Sequence, residues 1–259
     1  MSNITKINWT DATFNPWLGC SKVSPGCALC YAARDAHRWE KTRGKTWGPG
    51  SIRHSYGEEH WKAPLRLNKR AGKLGIRLKV FCASTADVFE DNQQVVSERL
   101  KLWNLISKTP NLDWQLLTKR PQNILSMVPA TWLTGNWPSN VWIGTSVEDQ
   151  DAADKRIPVL LKVPAAVRFL SCEPLLGPVD LKGVKEGDLQ WLIAGGESQP
   201  RCRPMDEAWA RSLRDQCKSV GIAFFMKQMG GVRDKRHELA DLPEDLRVRE
   251  FPVSPISLL

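Results

Sequence analysis

A partial or complete (β/α) barrel of about six to eight parallel strands is the fold class this sequence predicts. Three observations predict it. Six short apolar runs recur along the chain, helical segments lie between them, and nearly every run ends in polar or charged side chains. The runs are 78–83 (LKVFCA), 114–119 (WQLLTK), 141–146 (VWIGTS), 167–173 (VRFLSCE), 191–197 (WLIAGGE) and 222–228 (IAFFMKQ). They lack clean alternation, as strands covered on both faces do. Their starts lie 36, 27, 26, 24 and 31 residues apart, about the length of one strand plus one crossover helix.

Taken in chain order, a first strand is expected around Thr13–Leu18, just before Cys20. Residues 31–77 form an insertion or a basic first crossover. It opens with a helix over AARDAHRWEKTRG and continues as a Gly-rich stretch, and across the whole segment Trp39, Trp47, Tyr56 and Trp61 are interleaved with basic residues. Such aromatics suit base stacking beside phosphate contacts, and suit packing the crossover onto the barrel equally well. Residues 91–110 read as a helix with Val95, Leu102, Leu105 and Ile106 apolar, stopped by Pro110. QNILSMVPATWLT is a broken helix. DQDAADKRIPVLLKV holds a short one that ends near Pro158. The segment 205–221 reads as a helix capped by Asp206, with Trp209, Leu213, Cys217 and Val220 near one face and a stop at Gly221. Residues 1–232 are thus expected to form one barrel-like domain with a cysteine loop at 15–31. Residues 233–259 form a C-terminal extension that packs under the barrel or acts as a docking strand.

The strand ends decide between a barrel and a doubly wound open sheet. They carry Ser84, Thr85 and Asp87; Thr118, Lys119 and Arg120; Thr145, Ser146 and Glu148; Ser171 and Glu173; Glu197 and Ser198; Lys227 and Gln228. A barrel gathers all such ends on the face where active sites are built. An open sheet gathers only those at its switch point.

Composition narrows the partners. The 259 residues carry a formal charge of +9. Residues 1–80 hold fifteen Lys/Arg against five Asp/Glu, so the basic character belongs to the segment around the cysteine loop. That balance favours a polyanion, nucleic acid or a phosphorylated nucleotide. No apolar run is long enough to span a membrane. The first residues lack a basic region followed by an apolar one, so no secretory signal is expected and a cytoplasmic protein is.

The seven cysteines are an odd number, against a disulfide scaffold. Cys82, Cys172 and Cys217 fall in apolar patterns that suit core packing. Cys20, Cys27 and Cys30 stand apart, in NPWLGCSKVSPGCALCYA, at C-x6-C-x2-C spacing. Thiolates select zinc or iron–sulfur centres. Structural zinc takes four protein ligands, and no fourth Cys or His has conventional local spacing. His37 sits on the predicted helix as a fourth donor or a surface residue. Three thiolates without a fourth favour a [4Fe–4S] cluster with one open iron. A zinc site closed by a distant ligand and three unrelated thiols are the alternatives.

The cysteine loop resembles that of radical S-adenosylmethionine enzymes, whose usual spacing is C-x3-C-x2-C. Over most of its length the chain is more specifically similar to the phage Gp37/Gp68 family, also called DUF5131. The stretches INWTDATFNPWLGCSKVSPGCALCYA, WQLLTKRP, NVWIGTSVEDQ, AAVRFLSCEPLLGPVDL, WLIAGGES and RPMDEAWARSLRDQCKSVGIAFFMKQMG carry that similarity. The resemblance implies a radical-enzyme barrel encoded in bacteria and phages, acting in the cytoplasm of a bacterial or phage-infected cell. It implies a [4Fe–4S] cluster on Cys20, Cys27 and Cys30, S-adenosyl-L-methionine as cofactor, a 5′-deoxyadenosyl radical, and an external electron donor such as flavodoxin or ferredoxin. Ser84, Thr85, Asp87, Ser146, Glu148, Gly195, Gly196 and Glu197 are then candidates to bind the cofactor, and Lys119, Glu173 and Lys227 to act on the substrate. Structural pairing of Lys119, Arg120 and Lys227 with Glu148, Glu173 and Glu197, and of Glu197 with Arg201 or Arg203, is the competing assignment. The competing function is a non-enzymatic nucleic-acid-binding protein with a structural iron–sulfur or zinc site.

Overall fold

Alternation of strand and helix along the sequence becomes an α/β fold in the computed structural model, which describes residues 5–38, 40–199, 201–232, 234 and 236–253, and of Arg43 the backbone. Trp39, Arg233 and the end of the C-terminal extension lie outside the described residues. In chain order the strands are β1 (Ala12–Thr13), β2 (Trp17–Leu18), β3 (His54–Ser55), β4 (Leu78–Cys82), β5 (Leu112–Thr118), β6 (Val141–Ser146), β7 (Val167–Cys172), β8 (Trp191–Gly195) and β9 (Ala223–Gln228). Seven of them form one sheet in the order β1-β4-β5-β6-β7-β8-β9, and β2 and β3 form an antiparallel pair. The pairings of β1 with β4, β4 with β5, β7 with β8 and β8 with β9 are parallel. This is the arrangement of a partial (β/α) barrel. The helices are α1 (Tyr31–His37), α2 (Glu40–Arg43), α3 (Glu58–Leu74), α4 (Val96–Ser107), α5 (Ile124–Met127), α6 (Ala130–Leu133), α7 (Gln150–Leu160) and α8 (Glu207–Ser219).

The chain divides into two compact units. One comprises Met1–Val23 and Ala32–Trp142, the other Ser24–Tyr31 and Ile143–Leu259. The core of the first is aromatic. The Phe14 ring lies 4.8 Å from His60, 5.2 Å from Trp61 and 5.8 Å from Trp114. These rings join β1, α3 and β5. The second unit is built on Trp191, whose ring centroid lies 5.7 Å from Phe169 and 5.5 Å from Phe251. Its indole N–H donates to the Glu250 carbonyl at 2.9 Å. Residues 248–250 of the C-terminal extension run antiparallel beside β9, with Met226 N–H donating to the Val248 carbonyl and Glu250 N–H to the Phe224 carbonyl.

The N-terminal elements differ from expectation. The strand expected around Thr13–Leu18 is split into β1, which joins the seven-stranded sheet, and β2, which pairs with β3. The helix expected over AARDAHRWEKTRG is formed as the shorter α1 and α2. The stretch before β4 contains a seventeen-residue helix, α3. Glu58 and Glu59 favour its N-terminus, and Gly75, at φ 63°, closes it in the left-handed region. Helix α7 ends near Pro158 as expected, its last residue being Leu160. Pro158 costs one N–H in the last turn, and Leu161 N–H still reaches the Ile157 carbonyl at 3.0 Å. Helix α8 starts as expected, with the Asp206 carboxylate accepting from Ala208 N–H at 2.8 Å.

Gly144 in β6 is held by packing. A Cβ there would stand 2.4 Å from the Phe169 ring. Gly144→Ala should destabilise the protein by about 1–3 kcal/mol through overpacking, whereas Gly177→Ala, whose Cβ meets nothing nearer than 3.9 Å, should lie near zero. Chemical denaturation of the two variants checks this.

Asp245 pairs with Arg211 and Arg214 of α8. Their hydrogen bonds pull its carboxylate down to about 2 from 3.8. The unfolded chain then takes up the proton more readily. The stabilisation should be complete above pH 4 and disappear as pH falls from 4 to 2. The stability difference between wild type and Asp245→Asn should vanish over that window, as pH-dependent denaturation would show.

Candidate functional site

Cysteine content divides by exposure. All seven are thiols; Cys20, Cys27 and Cys30 are partly exposed, while Cys82, Cys172, Cys202 and Cys217 are buried. Burial pushes the Cys217 thiol up to about 12 and the Cys82 thiol higher still. Cys20 belongs to the first unit, and Cys27 and Cys30 to the second. Among the described residues no three Cys, His, Asp or Glu side chains are gathered as a metal ion requires.

In the first unit, Cys20 follows the β2 strand and bridges to Trp47, while Gly48 N–H donates to its carbonyl at 2.9 Å. Gly19 makes this possible. Its φ is 122°, and a Cβ would lie 2.4 Å from the Thr46 carbonyl oxygen. The expected strand-end residues Asp87 and Arg120 meet here. Arg120 donates to Asp87 Oδ2 at 2.8 Å, to the Ser21 carbonyl at 2.9 Å and to Cys20 Sγ at 3.7 Å. Asp87 also accepts from the Thr118 hydroxyl at 2.7 Å and from Lys119 N–H at 3.2 Å. Ser21 passes the connection on, donating to Glu90 Oε1 at 2.6 Å. Glu90 in turn holds Arg53 with two bonds of 2.7 Å.

The electrostatics follow from burial. Loss of water, then the Asp87 carboxylate, pushes the Cys20 thiol up to about 12 against the pull of Arg120. Burial opposes the charge on Arg120, but Asp87 and Cys20 outweigh it and hold its pKa above the ordinary value. Burial also opposes the Glu90 carboxylate, which Arg53 and Ser21 nevertheless keep below its usual range. Ser84 and Thr85 are organised by Asn15, whose side-chain oxygen accepts from Thr85 N–H at 2.9 Å and whose amide donates to Ser84 Oγ at 3.1 Å. The Thr85 hydroxyl itself is buried with no hydrogen-bond partner among the described residues.

In the second unit, Pro25–Cys27 form a 3₁₀ turn, with Cys27 N–H donating to the Ser24 carbonyl at 2.9 Å. Two carboxylate–arginine pairs reach this turn. Glu148, fully buried at 0% exposure, accepts from Gly26 N–H at 3.4 Å and from Arg156 at 2.7 Å. Arg156 also donates to the Ser146 carbonyl at 2.8 Å. Glu197 pairs with Arg203 through both oxygens, and Arg203 donates to the Pro25 carbonyl at 3.1 Å. The pairing of Glu197 with Arg203, not Arg201, is the one formed. Glu173 and Lys227 pair with each other.

Gly195 and Gly196 serve the approach of one strand end to another. A Cβ on Gly196 would lie 2.3 Å from Gly230 Cα, and one on Gly195 would meet Lys227 Cβ at 3.4 Å. Sequence reasoning missed Arg53, Glu90 and Arg156. Buried charge in the folded chain identifies them, and no local motif marks them.

The buried pair in the first unit sets a stability test. The Arg53 and Glu90 side chains are 1% and 4% exposed. Removing one partner of such a pair leaves a buried charge uncompensated. Glu90→Ala should cost about 3–5 kcal/mol, measured by denaturant unfolding.

A family model described as "Protein of unknown function (DUF5131)" matches residues 4–249. No curated protein and no solved structure matches the chain.

Proposed function

This chain belongs to the DUF5131 family, and we propose that it is a radical S-adenosylmethionine enzyme acting on nucleic acid or a nucleotide, with a [4Fe–4S] cluster on Cys20, Cys27 and Cys30. The observation that carries the reading is the partition of the thiols: the three within residues 20–30 are partly exposed and the other four are buried. No metal-binding group is preassembled among the described residues, so the reading rests on donor chemistry, spacing and access. Thiolates suit iron–sulfur clusters. When bound, the cluster and S-adenosylmethionine supply a carbon radical able to remove hydrogen from a substrate.

The chain's own residues supply position. Arg120 steadies the backbone beside Cys20, while Glu148 and Arg203 steady the turn that carries Cys27. Outer groups of this kind fix ligands and tune a metal site. Asp87, Glu148, Glu173 and Glu197 are each paired with a cation, so they orient rather than present unpaired charge. The Thr85 hydroxyl, buried with no partner among the described residues, offers a hydrogen bond to a ligand ribose or amine. An external one-electron donor such as flavodoxin or ferredoxin completes the reading. No helix among the described residues is long and apolar enough to cross a membrane.

Anaerobic reconstitution with iron and sulfide should load about four irons per chain. Adding S-adenosylmethionine should change the cluster's electron paramagnetic resonance spectrum, and reduction should cleave the cofactor. Cys27→Ala should lose both the iron and the response. Iron uptake with neither a spectral change nor cleavage would leave a structural metal and end the catalytic reading. Zinc in place of iron would end the cluster reading.

A further inference from the structure

Helix α3 carries a line of positive charge with little to neutralise it. Lys62, Arg66, Lys69 and Lys73 recur at intervals of four, three and four residues, which places them on one face at 3.6 residues per turn. Arg70 borders the same face. All five are exposed. At about 1.5 Å per residue the line is roughly 16 Å long. Glu59 is its local counter-charge, 2.6 Å from Lys62 and 3.7 Å from Arg66, and exposed pairs of that kind hold weakly. Glu58 is taken by Lys101 of α4. Lys69, Arg70 and Lys73 have no ion pair among the described residues.

The opposite side of the helix is committed to the protein. Trp61, Pro64 and Ala71 are buried, and Trp61 contacts Phe14 of the aromatic core. Asn68 accepts from Asn111 N–H at 2.8 Å, which ties the middle of α3 to the start of β5. The charges therefore stand on a fixed rod. The two large apolar side chains that α3 leaves exposed, Leu65 and Leu74, lie about 180° apart around the helix, so the charges have no continuous apolar face beside them to insert into a bilayer. A membrane-surface helix needs such a face free.

We propose that the exposed face of α3 is a docking surface for the phosphate backbone of nucleic acid, read through Lys62, Arg66, Lys69, Arg70 and Lys73. A row of cations held at successive turns complements a polymer with one phosphate per nucleotide. Each phosphate contact releases condensed counterions, so binding through this face is strongly salt-dependent and independent of sequence. The proposal rests on the reading above for its class of partner alone and does not require the cysteine loop.

The test is fluorescence-anisotropy binding of the full chain to a mixed-sequence DNA duplex and to its single strand, over a salt series. The stripe variant is Lys69→Ala/Arg70→Ala/Lys73→Ala, in which alanine preserves the helix. The control, Lys182→Ala/Lys185→Ala/Lys218→Ala, removes the same charge elsewhere. The stripe variant should bind about tenfold or more weakly at moderate salt. Its slope of log affinity against log salt should be shallower by about 2–3 units. The control should keep most of the wild-type affinity, and both should melt at the wild-type temperature. Equal loss in both variants would assign binding to net charge and overturn the proposal. So would no loss in either, or a wild type that binds vesicles of anionic lipid but not DNA. Cys27→Ala should bind DNA as the wild type does, and the stripe variant should take up iron normally. A failure of docking and a failure of the cluster reading are thereby told apart.

Discussion

Arginine–carboxylate pairs with buried or half-buried members hold the backbone of the cysteine loop in both units. In the first, Glu90 cannot keep its charge away from water without Arg53, and Arg53 cannot keep its own without Glu90. The same guanidinium donates to the carbonyls of Thr46 and Ser51 at 3.3 and 2.9 Å. It thereby folds the segment that places Trp47 beside Cys20. Ser21 links that pair to Arg120 and Asp87. In the second unit Arg156 allows Glu148 to remain buried, and Glu148 then accepts from Gly26. Each net hydrogen bond contributes about 1 kcal/mol, but loss of either charge would cost several times that. Loop geometry is thus tied to the integrity of the ion pairs.

This tie explains why glycine is needed at two points in the loop. At Gly19 the backbone enters a region closed to most side chains and passes against the Thr46 carbonyl. At Gly26 a Cβ would stand 3.0 Å from the Glu148 carboxyl carbon. A side chain at either position would push on a group already fixed by a buried charge. The loop tolerates little displacement because its neighbours cannot move without breaking a pair.

Much of this was legible in the sequence, but unevenly. The strands β4 to β9 appear within a residue or two of their apolar runs, because a strand covered on both faces leaves a continuous apolar signature. The cap at Asp206 was equally plain. Helix α3 lies in the stretch that the sequence leaves as an insertion or crossover, and Pro64 and Gly72 weaken its helical pattern. Pro64 is buried against the core, and Gly72 makes room for Asn111, whose amide nitrogen would lie 2.9 Å from a Cβ there. The pairs Glu197–Arg203 and Glu173–Lys227 were foreseeable from strand ends. Arg53–Glu90 and Gly26–Glu148 join residues 37 and 122 positions apart. Contacts of that range belong to the topology and have no local signature.

The pairing of every candidate carboxylate also constrains how a cationic ligand could enter. A methionyl ammonium or sulfonium cannot simply find a waiting anion; it must exchange with a guanidinium or an ammonium. Exchange at Glu148 would strand Arg156, whose side chain is 11% exposed beside a carboxylate at 1%, and would release Gly26 as well. Exchange at Glu197 would release the Pro25 carbonyl from Arg203. Glu173 and Lys227 are both partly exposed, with side chains 20% and 19% exposed, and their pair holds no loop backbone through a described bond. A displaced lysine can turn its flexible, strongly hydrated ammonium to water. On the proposed reading, Glu173–Lys227 is therefore the pair at which a cation enters at least cost, while the arginine pairs keep the cysteine loop in place.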